Sequence, residues 1–76
     1  MKSAVVSLKF AENVKEFVNT VNKFDYDVDL RSGRFVIDAK SILGIFSLDL
    51  SRPITMEIHS DNCADLLGAL KNFIVK

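Results

Sequence analysis

The side chains of this 76-residue chain that could do chemistry are few: one histidine, His59, one cysteine, Cys63, and aspartates at alternate positions, Asp25, Asp27 and Asp29, with Asp38 further on. An imidazole can relay protons, accept a phosphoryl group or bind a metal, and a thiol can act as a nucleophile. Each of these chemistries needs a second group at a fixed spacing. His59 alternates with Ile58, which puts it on the solvent side of a strand beside Glu57, and the carboxylates around it lack metal-ligand spacing. A surface histidine is expected, and no metal site. The aspartates fit a solvated face that also discourages edge-to-edge sheet pairing, with divalent cation binding as the alternative use. Cys63 falls in the first turn of a helix without a neighbouring base, as a small buried residue would. No catalytic set assembles, so no enzyme activity and no cofactor are expected.

The elements that position these residues follow from hydrophobic period. Residues 3–10 alternate, with Ala4, Val6, Leu8 and Phe10 on one side, as in a half-buried strand. Over 11–24 the period becomes helical, with Val14, Phe17, Val18, Val21 and Phe24 on one face. Alternation returns over 25–31 through Tyr26, Val28 and Leu30, and Ser32-Gly33 supplies a turn into 34–40, where Phe35, Ile37 and Ala39 point inward. Ser41 is the expected N-cap of a short helix reaching about Leu48. After Pro53, residues 54–60 form a fourth strand with Ile54, Met56 and Ile58 inward; Ser60 or Asp61 then caps a last helix carrying Leu66, Leu67, Leu70, Phe73 and Ile74. The order βαββαβα predicts an α+β open-faced sandwich, three helices on one face of a four-stranded antiparallel sheet.

Length and composition agree. Residues 1–76, with 49% hydrophobic content, make a single domain with one core. Ten basic and ten acidic residues balance, so the charge needed to neutralise nucleic-acid phosphates is absent. A single cysteine forms no internal disulfide, and no leader or membrane-length apolar run appears; a cytoplasmic protein with no membrane contact is expected.

The stretch Ser32–Leu50, SGRFVIDAKSILGIFSLDL, joins a serine-glycine turn, the pair Lys40-Ser41 and an apolar helix. In that spacing, and in element order from Ala4 to Phe73, the chain resembles the histidine-containing phosphocarrier proteins (HPr) of the bacterial sugar phosphotransferase system. The resemblance implies a sheet order of 1-4-2-3. It also implies a phosphoryl-accepting histidine between strand one and helix one, in a glycine-x-histidine-x-arginine-proline sequence. Here the join reads Leu8-Lys9-Phe10-Ala11-Glu12-Asn13-Val14, which puts Phe10, Glu12 and Asn13 where histidine, arginine and proline would stand, in a loop shortened by several residues. An inert ring and a repelling carboxylate cannot accept and stabilise a phosphoryl group, so the catalytic role does not carry over.

The resemblance implies two further features, the alternatives being that Ser41 is only a helix cap and that the apolar helix closes on a second copy or loosely covers the core. Ser41 matches the serine that a dedicated kinase phosphorylates in many relatives, and a phosphate there would meet the unpaired N–H groups at the start of a helix. Ile42, Leu43 and Phe46 match the exposed apolar residues by which the family docks phosphotransferase-system enzymes and a transcriptional regulator. The helix holds more apolar residues than one buried stripe needs, and Phe46 is a suitable anchor. The expected function is thus that of an HPr-like regulatory or protein-binding module with a protein partner, as a monomer or weak homodimer. The alternatives are an active accessory phosphocarrier using His59 or another acceptor, and a self-associating structural domain.

Overall fold

Strand ends are set by where a ladder runs out of partners, and the first strand illustrates it. In the computed structural model, which describes residues 1–75, β1 spans Lys2–Val6 and pairs antiparallel with β4, Ile54–Ile58. Val6 lies opposite Ile54, and the residue before Ile54 is Pro53, which has no N–H to extend the ladder. The alternation expected over 3–10 therefore outlives the strand. Leu8 still turns inward and is fully buried, but Phe10 is 69% exposed and starts the first helix, α1, Ala11–Val21.

The remaining elements are β2 (Val28–Ser32), β3 (Phe35–Asp38), α2 (Ile42–Phe46) and α3 (Ala64–Ala69). The sheet order is β1-β4-β2-β3, with every pairing antiparallel, as the resemblance implied. The β2–β3 turn consists of Gly33 and Arg34, because Ser32 pairs with Phe35; the expected Ser32-Gly33 turn is displaced by one residue. Gly33 has φ +59°, the conformation a two-residue hairpin asks of its first central position.

One face of the sheet carries the core. Val28, Leu30, Ile54, Met56 and Ile58 meet Val14, Phe17, Val18 and Val21 of α1, Ile45 of α2 and Leu66 of α3, all buried. The other face presents Asp29, Arg31, Thr55 and Glu57, which alternate with those residues and stand on the side the helices leave open. Phe17 meets Phe73 edge-on at 5.7 Å between ring centroids, tying α1 to the segment after α3. That segment returns along β1: Ser7 N–H donates to the Phe73 carbonyl at 2.9 Å, and Val6 and Ile74 form a bridge. The outer edge of β1 is thus partly covered, a device that blunts unpaired strand edges.

Two further expectations are corrected. Phe35, placed inward by alternation, is 66% exposed, because it sits at the hairpin tip beside the end of α2, where an open groove separates it from the helix layer. The cap of α3 is Cys63, with no side-chain cap bond, and neither Ser60 nor Asp61 fills that role. Ser60 Oγ accepts from Asn62 N–H at 3.1 Å, and Asp61 pairs with the N-terminal amine. Among the described residues, no helix is long and apolar enough to cross a membrane.

Candidate functional site

The backbone entering α2 is folded by Asp38: its carbonyl accepts from Ser41 N–H at 3.0 Å and its Oδ1 from Lys40 N–H at 2.9 Å. Ser41, extended at φ −97°, then caps the helix, its hydroxyl accepting from Gly44 N–H at 3.2 Å. Gly44 is the residue that fits beneath this cap, since a Cβ there would come within 3.1 Å of Ser41 Oγ and 3.4 Å of Ile37 Cδ1. The helix stops at Phe46, shorter than the span to Leu48 suggested by its apolar residues.

Five residues of helix can bury one side only. Ile45 is fully buried and Ile42 packs partly against the core, whereas Leu43 is 81% exposed and Phe46 43% exposed. Leu43 and Phe46 are three residues apart, so they lie together on one surface. Ser41 is exposed beside them at the helix start. The result is a small apolar face held by a buried anchor and an intact cap.

The join between β1 and α1 contains no histidine. Phe10 is the N-cap of α1 but has no side-chain oxygen to accept from the helix start; only the reciprocal half of a capping box is made, Phe10 N–H donating to Asn13 Oδ1 at 3.3 Å. Glu12 puts a carboxylate into the first turn, where a transferred phosphate would need a donor or a cation.

The chain's imidazole is at the other end of the sheet. Ile58 pairs with Lys2 at the start of β1, and the join follows Val6 at its end, four steps of roughly 3.3 Å away. His59 is partnered by Asp29, Nε2 to Oδ2 at 2.8 Å, and not by the adjacent Glu57. Glu57 is engaged by Arg31 Nη2 at 3.1 Å and Nε at 3.3 Å. Asp27, Asp29 and Asp38 line a shallow recess with His59, while Asp25 does not join them. Among the described residues, no group of three or more His, Cys, Asp or Glu side chains is arranged to hold a metal ion.

Two aromatic side chains reach the surface that alternation placed inside, Phe10 and Phe35. The signals for both lay in neighbouring residues: Pro53 sets the end of the ladder, and a glycine followed by one residue makes a two-residue turn. A cluster of arginines around Phe35, from Arg31, Arg34 and Arg52, is not legible in sequence spacing because the hairpin supplies two of them and the loop before β4 the third.

Comparison with known proteins gives one consistent result. The family model described as "PTS HPr component phosphorylation site" matches residues 10–75. A crystal structure of HPr-C-His from Thermoanaerobacter tengcongensis superposes with a TM-score of 0.79 at 26% identity, covering 95% of this chain and 89% of that one. The phosphocarrier protein HPr from Bacillus anthracis superposes at 0.71 with 30% identity, covering 96% and 93%. A mycoplasma histidine-containing phosphocarrier protein, at 17% identity and a TM-score of 0.72 over 93% and 86%, shares the fold.

Proposed function

The chain belongs to the HPr family of phosphocarrier components of the phosphotransferase system, and we propose that it serves there as a docking and regulatory module that does not itself carry phosphate on histidine. The observation that carries this reading is a contrast between two helix starts. At α1, the residue leading into the helix is Phe10, followed by the carboxylate of Glu12. At α2, the cap Ser41 is in place and Leu43 and Phe46 stand exposed on a helix anchored by Ile45. In this reading the exposed apolar face of α2 serves recognition, while Phe10 stands where the family's histidine would be.

In this reading Ile42, Leu43 and Phe46 contact a cytoplasmic protein of the same system, either an enzyme or a transcriptional regulator. Ser41 is the position at which a kinase would adjust the contact. A phosphate on Ser41 would add about −1.5 to −2 charges at the rim of the apolar patch, enough to change which partner it fits. The reading makes the chain a binding protein and not an enzyme. Competition tests it: the chain added to a phosphotransferase-system enzyme and a histidine-carrying HPr is expected to displace the HPr and slow phosphoryl transfer. Unchanged transfer at saturating chain would remove the docking claim.

A further inference from the structure

Charges that sum to zero over the chain are separated in the fold. At one end of the sheet, around the β2–β3 turn, Arg31, Arg34 and Arg52 line a single groove of about 500 Å³. At the other, Asp27, Asp29 and Asp38 surround His59. The groove falls within the roughly 300–1,000 Å³ of small-molecule sites. Its walls combine those guanidinium groups with the hydroxyl residues Ser32 and Thr55 and an apolar side made by Phe35, Leu48 and Pro53.

The arginines are incompletely matched by acids. Arg31 is turned to Glu57, as described above, but Arg52 Nε is 3.7 Å from Asp49 Oδ2, and Arg34 has no carboxylate within ion-pair distance among the described residues. Asp49 is the one acid in the lining; besides facing Arg52, its Oδ1 accepts from the Ser51 hydroxyl at 2.6 Å and from Ser51 N–H at 3.1 Å. The ring of Phe35 also stands open over the same groove.

We infer that this groove binds a small phosphate monoester attached to a planar group, its phosphate between Arg34 and Arg52 and its plane against Phe35 and Pro53. A phosphate monoester carries about −1.5 to −2 charges and three acceptor oxygens, which suits a lining of three guanidinium groups and one carboxylate better than the single charge of a carboxylate ligand. Guanidinium forks meet two phosphate oxygens at once, and their planes also stack on flat ligands. The exposed aromatic ring explains why the ligand should be more than inorganic phosphate.

The test is an amide chemical-shift titration of the isotope-labelled chain with adenosine 5′-monophosphate, ribose 5-phosphate and inorganic phosphate, at ionic strength held constant with chloride. Saturable shifts are expected at Gly33, Arg34, Phe35 and Arg52, tightest for adenosine 5′-monophosphate. The double variant Arg34→Gln/Arg52→Gln should weaken all three probes about tenfold. Phe35→Ser should weaken only the nucleotide, and thermal unfolding of each variant verifies its fold. Absence of saturable shifts with every probe in the low-millimolar range would overturn the site, as would equal shifts in the double variant. Equal affinity for the three probes would overturn the assigned role of Phe35.

Discussion

Substituting Leu43 by serine separates what holds this domain together from what it offers to a partner. Leu43 is 81% exposed, so about a fifth of its surface is buried by folding. Full burial of a leucine contributes about 1.5–3 kcal/mol, which makes the expected loss of stability about 0.5 kcal/mol. The exposed four-fifths is what docking can bury, and the same coefficient gives about 1.2–2.4 kcal/mol, or about 7- to 50-fold in Kd. Ile45→Ala is the mirror case. Ile45 is fully buried, and its truncation should cost about 2–5 kcal/mol of stability, a lost cavity contact in a domain where 1 kcal/mol moves Tm by about 4–8 °C. Urea unfolding measures one quantity, and calorimetric titration of a phosphotransferase-system enzyme the other. Leu43→Ser with weakened docking and near-normal unfolding supports the assignment. Unaltered docking, or a stability loss as large as that of Ile45→Ala, would refute it.

Other expectations rest on single contacts. Ser41→Ala removes the α2 cap and should cost about 1 kcal/mol in urea unfolding, with the helix still formed. Gly33→Ala meets open space but must take up φ +59°, so it should cost about 1–2 kcal/mol through the backbone alone; no loss would mean that the turn has another geometry. Hydrogen bonds from Ser51 hold the Asp49 carboxyl below the usual carboxylate range, and the N-terminal amine does the same for Asp61. Depressed folded values stabilise above the unfolded pKa of about 4, and that stability is lost as pH falls through the lower folded values. Asp49→Asn should therefore flatten the acid limb of the stability profile below about pH 4, and an unchanged limb would show that Ser51 is not its partner.

Much of this fold was legible because period and burial agree. Strand alternation at Ile54, Met56 and Ile58 and helical spacing at Val14, Phe17, Val18 and Val21 each named residues that the structure buries. Order in the sheet was not legible from period and came from the resemblance; the observed β1-β4-β2-β3 order matches it. Where expectation failed, a local pattern met a tertiary limit. Phe10 and Phe35 both continue an alternation, but one lies past the last ladder partner and the other past the cover of α2. Ser60 and Asp61 looked like caps by residue type, but each spends its oxygen on another donor, so Cys63 starts α3. Of the candidate site, Ser41 as a cap and the excess of apolar residues in α2 were visible in the sequence. The partner of His59 was not, because Asp29 lies on β2, adjacent only once β4 pairs with it.

The most direct measurement is phosphoryl transfer itself. The chain is incubated with phosphoenolpyruvate and the first enzyme of the phosphotransferase system, beside a histidine-carrying HPr, and acid-labile phosphate is quantified on each. The account predicts phosphate on the HPr and none on this chain, because Phe10 stands at the start of α1 and His59 lies at the far end of β1 in contact with Asp29. Stoichiometric acid-labile phosphate on this chain, abolished by His59→Ala, would contradict it.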